Sequence, residues 1–319
     1  MEDRMSKVLA VVMTVALGGC NAANGTAPPP AQVKPSEAPT AFLMRVYQPY
    51  TVQDATGIFQ MTPEVLSQYF EPKLAGALLQ TSSQASARGL EPSPKGDAFV
   101  NAFRWHTASL DIEALRVEVT DLGSGRATGK VSFKNFHLTK TMGIDLVAQP
   151  EGWRISDIRY GPKQSLRRLV GLDSGGRAEQ LTAAQLAARY RRAVLAGNVE
   201  AVVAMIDPSG LLGHDPWVSS REEVLRDLKA RRGAAHCFLF ATKAEGASKG
   251  WQGDYMSHRE YFQAHPDVAA TLVNWGVHFV EARWSETGHD PNKWTGPVVV
   301  LSRDFLGQAW IRAFDDAMD

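Results

Sequence analysis

Gly246-Ala247-Ser248-Lys249-Gly250 has the spacing of a nucleophile elbow, a sharp turn that raises a serine hydroxyl for attack on a carbonyl. Such a turn needs a strand before it, a helix after it and a parallel sheet of alternating strands and helices beneath. The loop-like Trp251-Gln252-Gly253-Asp254 comes next instead, and no strand-helix series precedes it. Loop composition explains the match better than chemistry does. Asp173-Ser174-Gly175-Gly176 and Ala234-Ala235-His236-Cys237 imitate the serine and histidine segments of a Ser-His-Asp hydrolase, but their order is reversed and the serine falls in a linker. Six of the eight histidines (His214, His236, His258, His265, His278 and His289) lie after residue 213. No His-x-Glu-x-x-His and no close Cys/His cluster occurs among them, so neither a metal nor another cofactor is expected.

Six of the eight tryptophans share that half: Trp217, Trp251, Trp275, Trp284, Trp294 and Trp310. Tryptophan dominates interface hot spots and carries a large apolar area with one polar handle. Trp284 and Trp310 sit in strand-like runs and read as core. Trp251 and Trp294 lie near glycines in polar loops and read as a contact surface. Tyr47, Tyr50 and Trp105 of the N-terminal half complete the candidate residues for binding a partner or ligand.

The elements that must position these residues begin with an export signal. Val8 to Leu17 is an apolar run too short to span about 30 Å of hydrocarbon, and it ends at Leu17-Gly18-Gly19-Cys20. That tetrapeptide resembles a bacterial lipobox. The resemblance implies removal of residues 1–19, acylation of Cys20 and a lipid-anchored, periplasm-facing address in the cell envelope. More than one acyl chain anchors stably, at about 0.8 kcal/mol per buried methylene. Asn21 at the next position favours the outer membrane over the inner. Glu2 and Asp3 fit an n-region poorly, and Met5-Ser6-Lys7 would fit better, which leaves both Met1 and Met5 as candidate starts. Residues 20–40 carry five prolines and no aromatic residue, the composition of an extended tether. The twenty residues from Asn21 to Thr40, at about 3.1 Å each, reach roughly 60 Å.

Phe42, Leu43, Val46, Tyr47 and Tyr50 recur at helical spacing. Thr62-Pro63-Glu64 opens a second helix, with Thr62 as cap and a break at Pro72. Thr81 to Lys95 reads as a loop. The period then falls to two over Ile112–Thr120, Arg126–Leu138, Met142–Ala148 and Gly152–Tyr160, with turns at Gly123-Ser124-Gly125, Lys140-Thr141 and Pro150-Glu151-Gly152. Leu166, Leu169 and Val170 close the unit as a short helix. An antiparallel meander with one apolar face needs a cover, and the preceding helices supply it. After a joint at 171–179, helices are expected from Thr182 to about Ala196, on to Ile206, from Ser220, and across Tyr255–Val273. Strands are expected at His236–Lys243, Val277–Trp284, Val298–Ser302 and Gln308–Phe314. Cys237, in the first of these, reads as a buried thiol.

Phe42-Leu43, Tyr47-Gln48-Pro49-Tyr50, Tyr69-Phe70-Glu71-Pro72-Lys73-Leu74, Gly96-Asp97, Val131-Ser132-Phe133, Ile144-Asp145-Leu146-Val147 and Gly152-Trp153-Arg154-Ile155-Ser156-Asp157-Ile158 resemble an uncharacterised bacterial family of exported, often lipidated domains with a cystatin-like (nuclear-transport-factor-2-like) cone. The family departs from this chain at Ala98, where it tends to have proline, and at Arg104, where an acid is common. The resemblance implies an α+β fold over residues 41–170, with helices packed on a curved antiparallel sheet. A second α+β domain over 180–319 comes after it, in which a diverged repeat of the first is one possibility. Such a cone can set an aspartate against a tyrosine in an apolar cavity for proton abstraction. Tyr47, Tyr50, Asp97, Asp145 and Asp157 supply the types, and strand alternation alone leaves open whether Asp157 faces the cavity or solvent.

Thirty-four basic residues balance 34 acidic ones, so the field that displaces phosphate counterions is missing and nucleic acid is not an expected partner. The reading that results is a non-catalytic binding module in the periplasm. Its partner is expected to be a protein, of which a secreted toxin neutralised in the manner of an immunity protein is one instance. A binder of small ligands or cell-wall fragments in the cone, and an isomerase- or dehydratase-like enzyme there, stand as alternatives.

Overall fold

The computed structural model describes residues 35–319 apart from 89, 91–95, 104–109, 136–137, 162–163, 174–179, 209, 213–217, 249–255, 276–278, 285–295 and 315–319. Pro39 in the first turn and the stripe Phe42, Leu43, Val46 and Tyr47 make α1 (Pro39–Tyr47) an amphipathic helix whose apolar face is buried. A 3-10 turn, Gln48–Tyr50, extends it. Thr62 caps α2 (Pro63–Tyr69) by accepting from the Val65 N–H, and Pro72 opens a separate α3 (Pro72–Ala87). The expected loop from Thr81 is therefore helical as far as Ala87. Among its buried residues, Leu74, Leu78, Thr81 and Ala85 keep the 4-3-4 spacing of one helix face, but two of these four are small or polar and mask the stripe.

Short strands β1 (Gly96–Asp97) and β2 (Ala102–Phe103) pair as a hairpin. The meander comprises β3 (Glu113–Gly123), β4 (Arg126–Asn135), β5 (Leu138–Gln149), β6 (Gly152–Gly161) and β7 (Gln164–Ser165), antiparallel in sequence order, and α4 (Leu166–Leu169) closes it. Ala127, Val131 and Phe133 of β4 and Met142, Ile144 and Leu146 of β5 point into one core, which α1 covers. Gly129 lets α1 sit close, because a Cβ there would collide with Leu43. The turn expected at Lys140-Thr141 is not there: β4 ends at Asn135 and β5 begins at Leu138, and Lys140 and Thr141 pair with Phe133 and Ser132 inside the sheet.

The second half opens with α5 (Ala183–Leu195) and α6 (Val199–Met205), then β8 (Leu211–Leu212), β9 (Val218–Ser219) and α7 (Arg221–Lys229). Thr182 with Gln185 and Ser220 with Glu223 form complete capping boxes, so both helix starts are fixed by local chemistry. The run expected as a strand at His236–Lys243 is helical, as α8 (Gly233–Phe240) and α9 (Lys243–Ser248). A short apolar run carries no period that separates a strand from a buried helix. The helix expected across Tyr255–Val273 ends early, as α10 (His258–Ala264), because Pro266 disfavours helical backbone at His265. The chain then turns to strand, with β10 (Ala270–Trp275) joined by β11 (Phe279–Trp284), β12 (Val298–Arg303) and β13 (Ala309–Phe314). The sheet order is β10-β11-β12-β13-β8-β9, antiparallel except for the β13–β8 pair. Its core gathers Leu186, Tyr190 and Val194 of α5 against Ala282, Trp284, Val299, Leu301 and Ile311.

The architecture is thus α+β: among the described residues, two large antiparallel-rich sheets are each packed with helices, and two hydrophobic cores lie within the compact unit Val33–Asp319. Phe305 and Leu306, on the β12–β13 turn of the second half, belong to the first core. Among the described residues no helix is long and apolar enough to cross a membrane.

Candidate functional site

The two halves meet on a polar seam. From the first half comes the loop after β1. Gly96 permits the approach, since a Cβ there would lie 2.6 Å from the Phe305 backbone nitrogen. Phe305 sits edge-on to Phe59 at 5.3 Å, and Phe59 in turn meets Phe99 at 5.6 Å and Phe70 at 6.3 Å. Phe59, Phe70, Phe99 and Phe305 thus pack ring against ring in the first core.

Beside this plug, Asp97 is buried. Its Oδ2 accepts from the Tyr50 hydroxyl at 2.6 Å, and its Oδ1 accepts from the Phe99 and Val100 N–H groups at 2.8 and 3.4 Å. Burial pushes this carboxyl up to about 6, against the opposing effect of those donors. Tyr47 donates to the Phe99 carbonyl at 2.9 Å and Tyr160 to the Ala98 carbonyl at 3.0 Å, so three tyrosines clamp residues 97–99. The ammonium of Lys140 lies under the Asn101 carbonyl at 2.8 Å and the Val100 carbonyl at 3.3 Å, and desolvation lowers it to about 7.

The second half faces this loop with a buried ion pair, Arg312 to Asp207 at 2.5 Å, whose side chains are 1% and 5% exposed. Arg312 also donates to Ser302, and burial brings its guanidinium down to about 10. Asp304 accepts from Trp310 Nε1 and the Leu306 N–H, each at 2.8 Å, and from the Gln308 N–H at 3.0 Å. Burial raises its carboxyl to about 6. The guanidinium of Arg221 stacks over Trp310 at 5.0 Å.

Two spaces open along this seam. One, of about 20 Å³, lies between Asp97 and Asn101 on one side and Asp207, Asp304 and Arg312 on the other. It has room for roughly one water. The other is a cleft of about 160 Å³ with Leu181, Leu186, Met205 and Leu306 among its apolar lining and Gln180, Arg189 and Trp310 among its polar lining.

Two carboxyls near 6 have the acidity of acid–base groups. Their oxygens accept from fixed internal donors, which holds the surrounding backbone in place; Asp97 borders the water-sized space, and Asp304 lines both that space and the larger cleft.

Of the residues singled out in the sequence, Tyr47 and Tyr50 are wholly buried, so they support the Asp97 loop and present no surface. Asp145 is partly exposed and pairs with Arg159 and Thr128. Asp157 is buried because a bulge at Ser156 lets Ile155 and Ile158 both face inward, and its Oδ1 accepts from the Ile158 and Arg167 N–H groups. Ser248 ends the short helix α9 and donates to the Glu245 carbonyl, far from the geometry of an elbow. His236 and Cys237 are buried on α8, and His258 is buried against Tyr190. Trp284 is core, whereas Trp310 is a seam residue. Cys20, Trp105, Trp251, Trp294, His214, His278 and His289 lie outside the described residues. Among those described, no three His, Cys, Asp or Glu converge as metal ligands. Lys140, Gln180, Asp207, Asp304 and Arg312 were not anticipated. A charge inside the apolar run Trp310-Ile311-Arg312-Ala313-Phe314 was the available signal.

No family model matches the chain, and no curated protein matches it. Among solved structures it is similar to a cystatin-like protein from Ruminococcus gnavus, at 10% identity over 79% of this chain and 78% of that one. The TM-score is 0.21.

Proposed function

We propose that the chain is a non-catalytic binding module of the bacterial envelope, anchored through lipid on Cys20 and held off the membrane by its proline-rich tether, and that its partner is a protein. Neutralisation of a toxin in the periplasm is one activity of this kind. The observation that carries the reading is the contrast between the two long edge strands. On β3, Glu113, Arg116, Glu118 and Asp121 are charged, and its register is interrupted at two places, devices that blunt an open edge. On β10, Ala-Thr-Leu-Val-Asn-Trp carries no charge, pairs regularly with β11 and leaves Leu272 40% exposed. Among the described residues β10 has no second neighbour. An uncharged, regular edge of six residues suits an extended segment of a partner, added as a further strand. The fixed hydrogen bonds of the seam carboxyls weigh against an isomerase or dehydratase.

The test is recovery of a partner from envelope extracts by the full lipidated chain and by Leu272→Lys/Asn274→Lys. The reading expects the wild type to retain a partner and the variant, with an unchanged melting temperature, to lose it by tenfold or more. Equal recovery by both proteins overturns strand addition. Concentration-dependent dimerisation of the wild type that the variant abolishes would instead assign β10 to a second copy.

A further inference from the structure

The cleft of about 160 Å³ is lined by Leu169 of α4 and by residues of α5, α6 and the β12–β13 turn. Most of its polar groups are already engaged. Gln180 donates through Nε2 to the Leu306 carbonyl, and its Oε1 is enclosed, so neither atom is offered to the cleft. Gln308 bridges the Leu181 N–H and the Ala309 carbonyl. Asp304 accepts from the Trp310 indole at Oδ2 and from the Leu306 and Gln308 N–H groups at Oδ1. Arg189 is different. It is exposed and, among the described residues, makes no ion pair and no hydrogen bond. It follows Leu186 by three positions on α5, so one helix face brings an apolar wall and a guanidinium to the same cleft.

The charge of the wall points the same way. Asp304 alone would repel an anion, but it belongs to a balanced set: Asp304 and Asp207 act on Arg312 together with Arg221, two negative charges beside two positive ones. Arg189 adds a positive charge that nothing else in the lining offsets. The space is that of an apolar cavity able to take up benzene, for which about 150 Å³ suffices.

We propose that this cleft is a binding site for a small carboxylate with an apolar body the size of a benzene ring, such as an aryl carboxylate. The body lies against Leu181, Leu186, Met205 and Leu306, and the carboxylate stays at the mouth on Arg189. Because the carboxylate keeps part of its hydration there, the ion pair selects among ligands by a few-fold factor and not by orders of magnitude. The site is separate from the β10 edge, and the two readings fail independently.

Calorimetric titration of the full chain at pH 7.5 with benzoate, benzyl alcohol and benzylammonium tests this. The expected result is saturable binding in the order benzoate, benzyl alcohol, benzylammonium. Arg189→Gln should weaken benzoate about fivefold and leave benzyl alcohol within about twofold, the loss of one partly exposed ion pair. Arg189→Glu should reverse the order of benzoate and benzylammonium. Both variants are expected to fold, since Arg189 has no internal partner to lose. Ala204→Trp, at an exposed position on the lining, should abolish binding of all three. Absence of saturable benzoate binding would overturn the proposal. So would benzoate affinity unchanged in Arg189→Gln, an equal loss for benzoate and benzyl alcohol in that variant, or binding that survives Ala204→Trp.

Discussion

His258 gives the sharpest stability prediction. It is 3% exposed in the second core, its Nδ1 lies 2.5 Å from the Tyr190 hydroxyl, and Phe262 and Phe314 stand edge-on to its ring. Burial alone takes the imidazole from 6.5 down to about 3. The folded state therefore keeps the ring neutral at pH values where the unfolded chain takes up a proton. Stability from this site is complete above about 6.5, falls as the pH drops below it, and stops falling only near 3. Between pH 7.5 and 5 the loss spans about 1.5 pH units below 6.5, at 1.36 kcal/mol per unit, or roughly 2 kcal/mol. Asp97 and Asp304, raised to about 6, act with the opposite sign, since they take up protons in the folded state first and gain stability over the same range. Lys140, lowered to about 7, acts with the same sign as His258. The wild-type curve thus mixes all four, and the informative quantity is a difference. Tyr190→Phe/His258→Leu removes both partners, so neither is left unsatisfied. Urea unfolding at pH 7.5 and pH 5 should show the wild type losing about 2 kcal/mol relative to this variant. A differential below about 0.5 kcal/mol would refute the reasoning, because the folded imidazole would then be protonating as freely as the unfolded one.

Other outcomes concern the seam. Phe305→Ala should cost about 3–5 kcal/mol in urea unfolding although Phe305 belongs to the second half, because it removes a ring from the first core. A cost below about 1 kcal/mol would show that the plug is not packed as described. Arg312→Met should cost about 3–5 kcal/mol by leaving Asp207 charged and buried, and Asp207→Leu added to it should restore most of that loss. Additive losses in the pair would count against the ion pair.

Much of the fold was legible because local chemistry fixed it. The stripe of α1, the caps at Thr62, Thr182 and Ser220, and the alternation of β4 and β5 all involve residues a few positions apart. The errors fall where local signals are ambiguous. The run at His236–Lys243 is apolar without a period, the end of α3 buries Thr81 and Ala85 where large residues would announce a helix, and one extra residue at Ser156 undoes the alternation that left Asp157 undecided. The seam was illegible for a different reason. Asp97, Asp207 and Arg312 are each more than a hundred residues from the next along the chain, and no spacing rule links them. Only the conflict of a charge with an apolar strand at Arg312 hinted at a partner elsewhere.

The seam's composition bears on how the two halves are held. Asp207 and Arg312 both belong to the second half, so their ion pair does not itself join the halves. Phe305 and Leu306, which enter the first core from the second half, do. What charged and hydrogen-bonded groups add is direction. On β13, Ala309 and Ile311 join the second core, while Trp310 and Arg312 turn the other way into the seam. Trp310 is held by Asp304 and Arg221, and it borders both the water-sized space and the larger cleft. Trp310 is thereby fixed by contacts within the second half, and Asp304 itself also lines the cleft. A seam held in this way would suit the proposed binding module, because its recognition surfaces would be in place before a partner arrives.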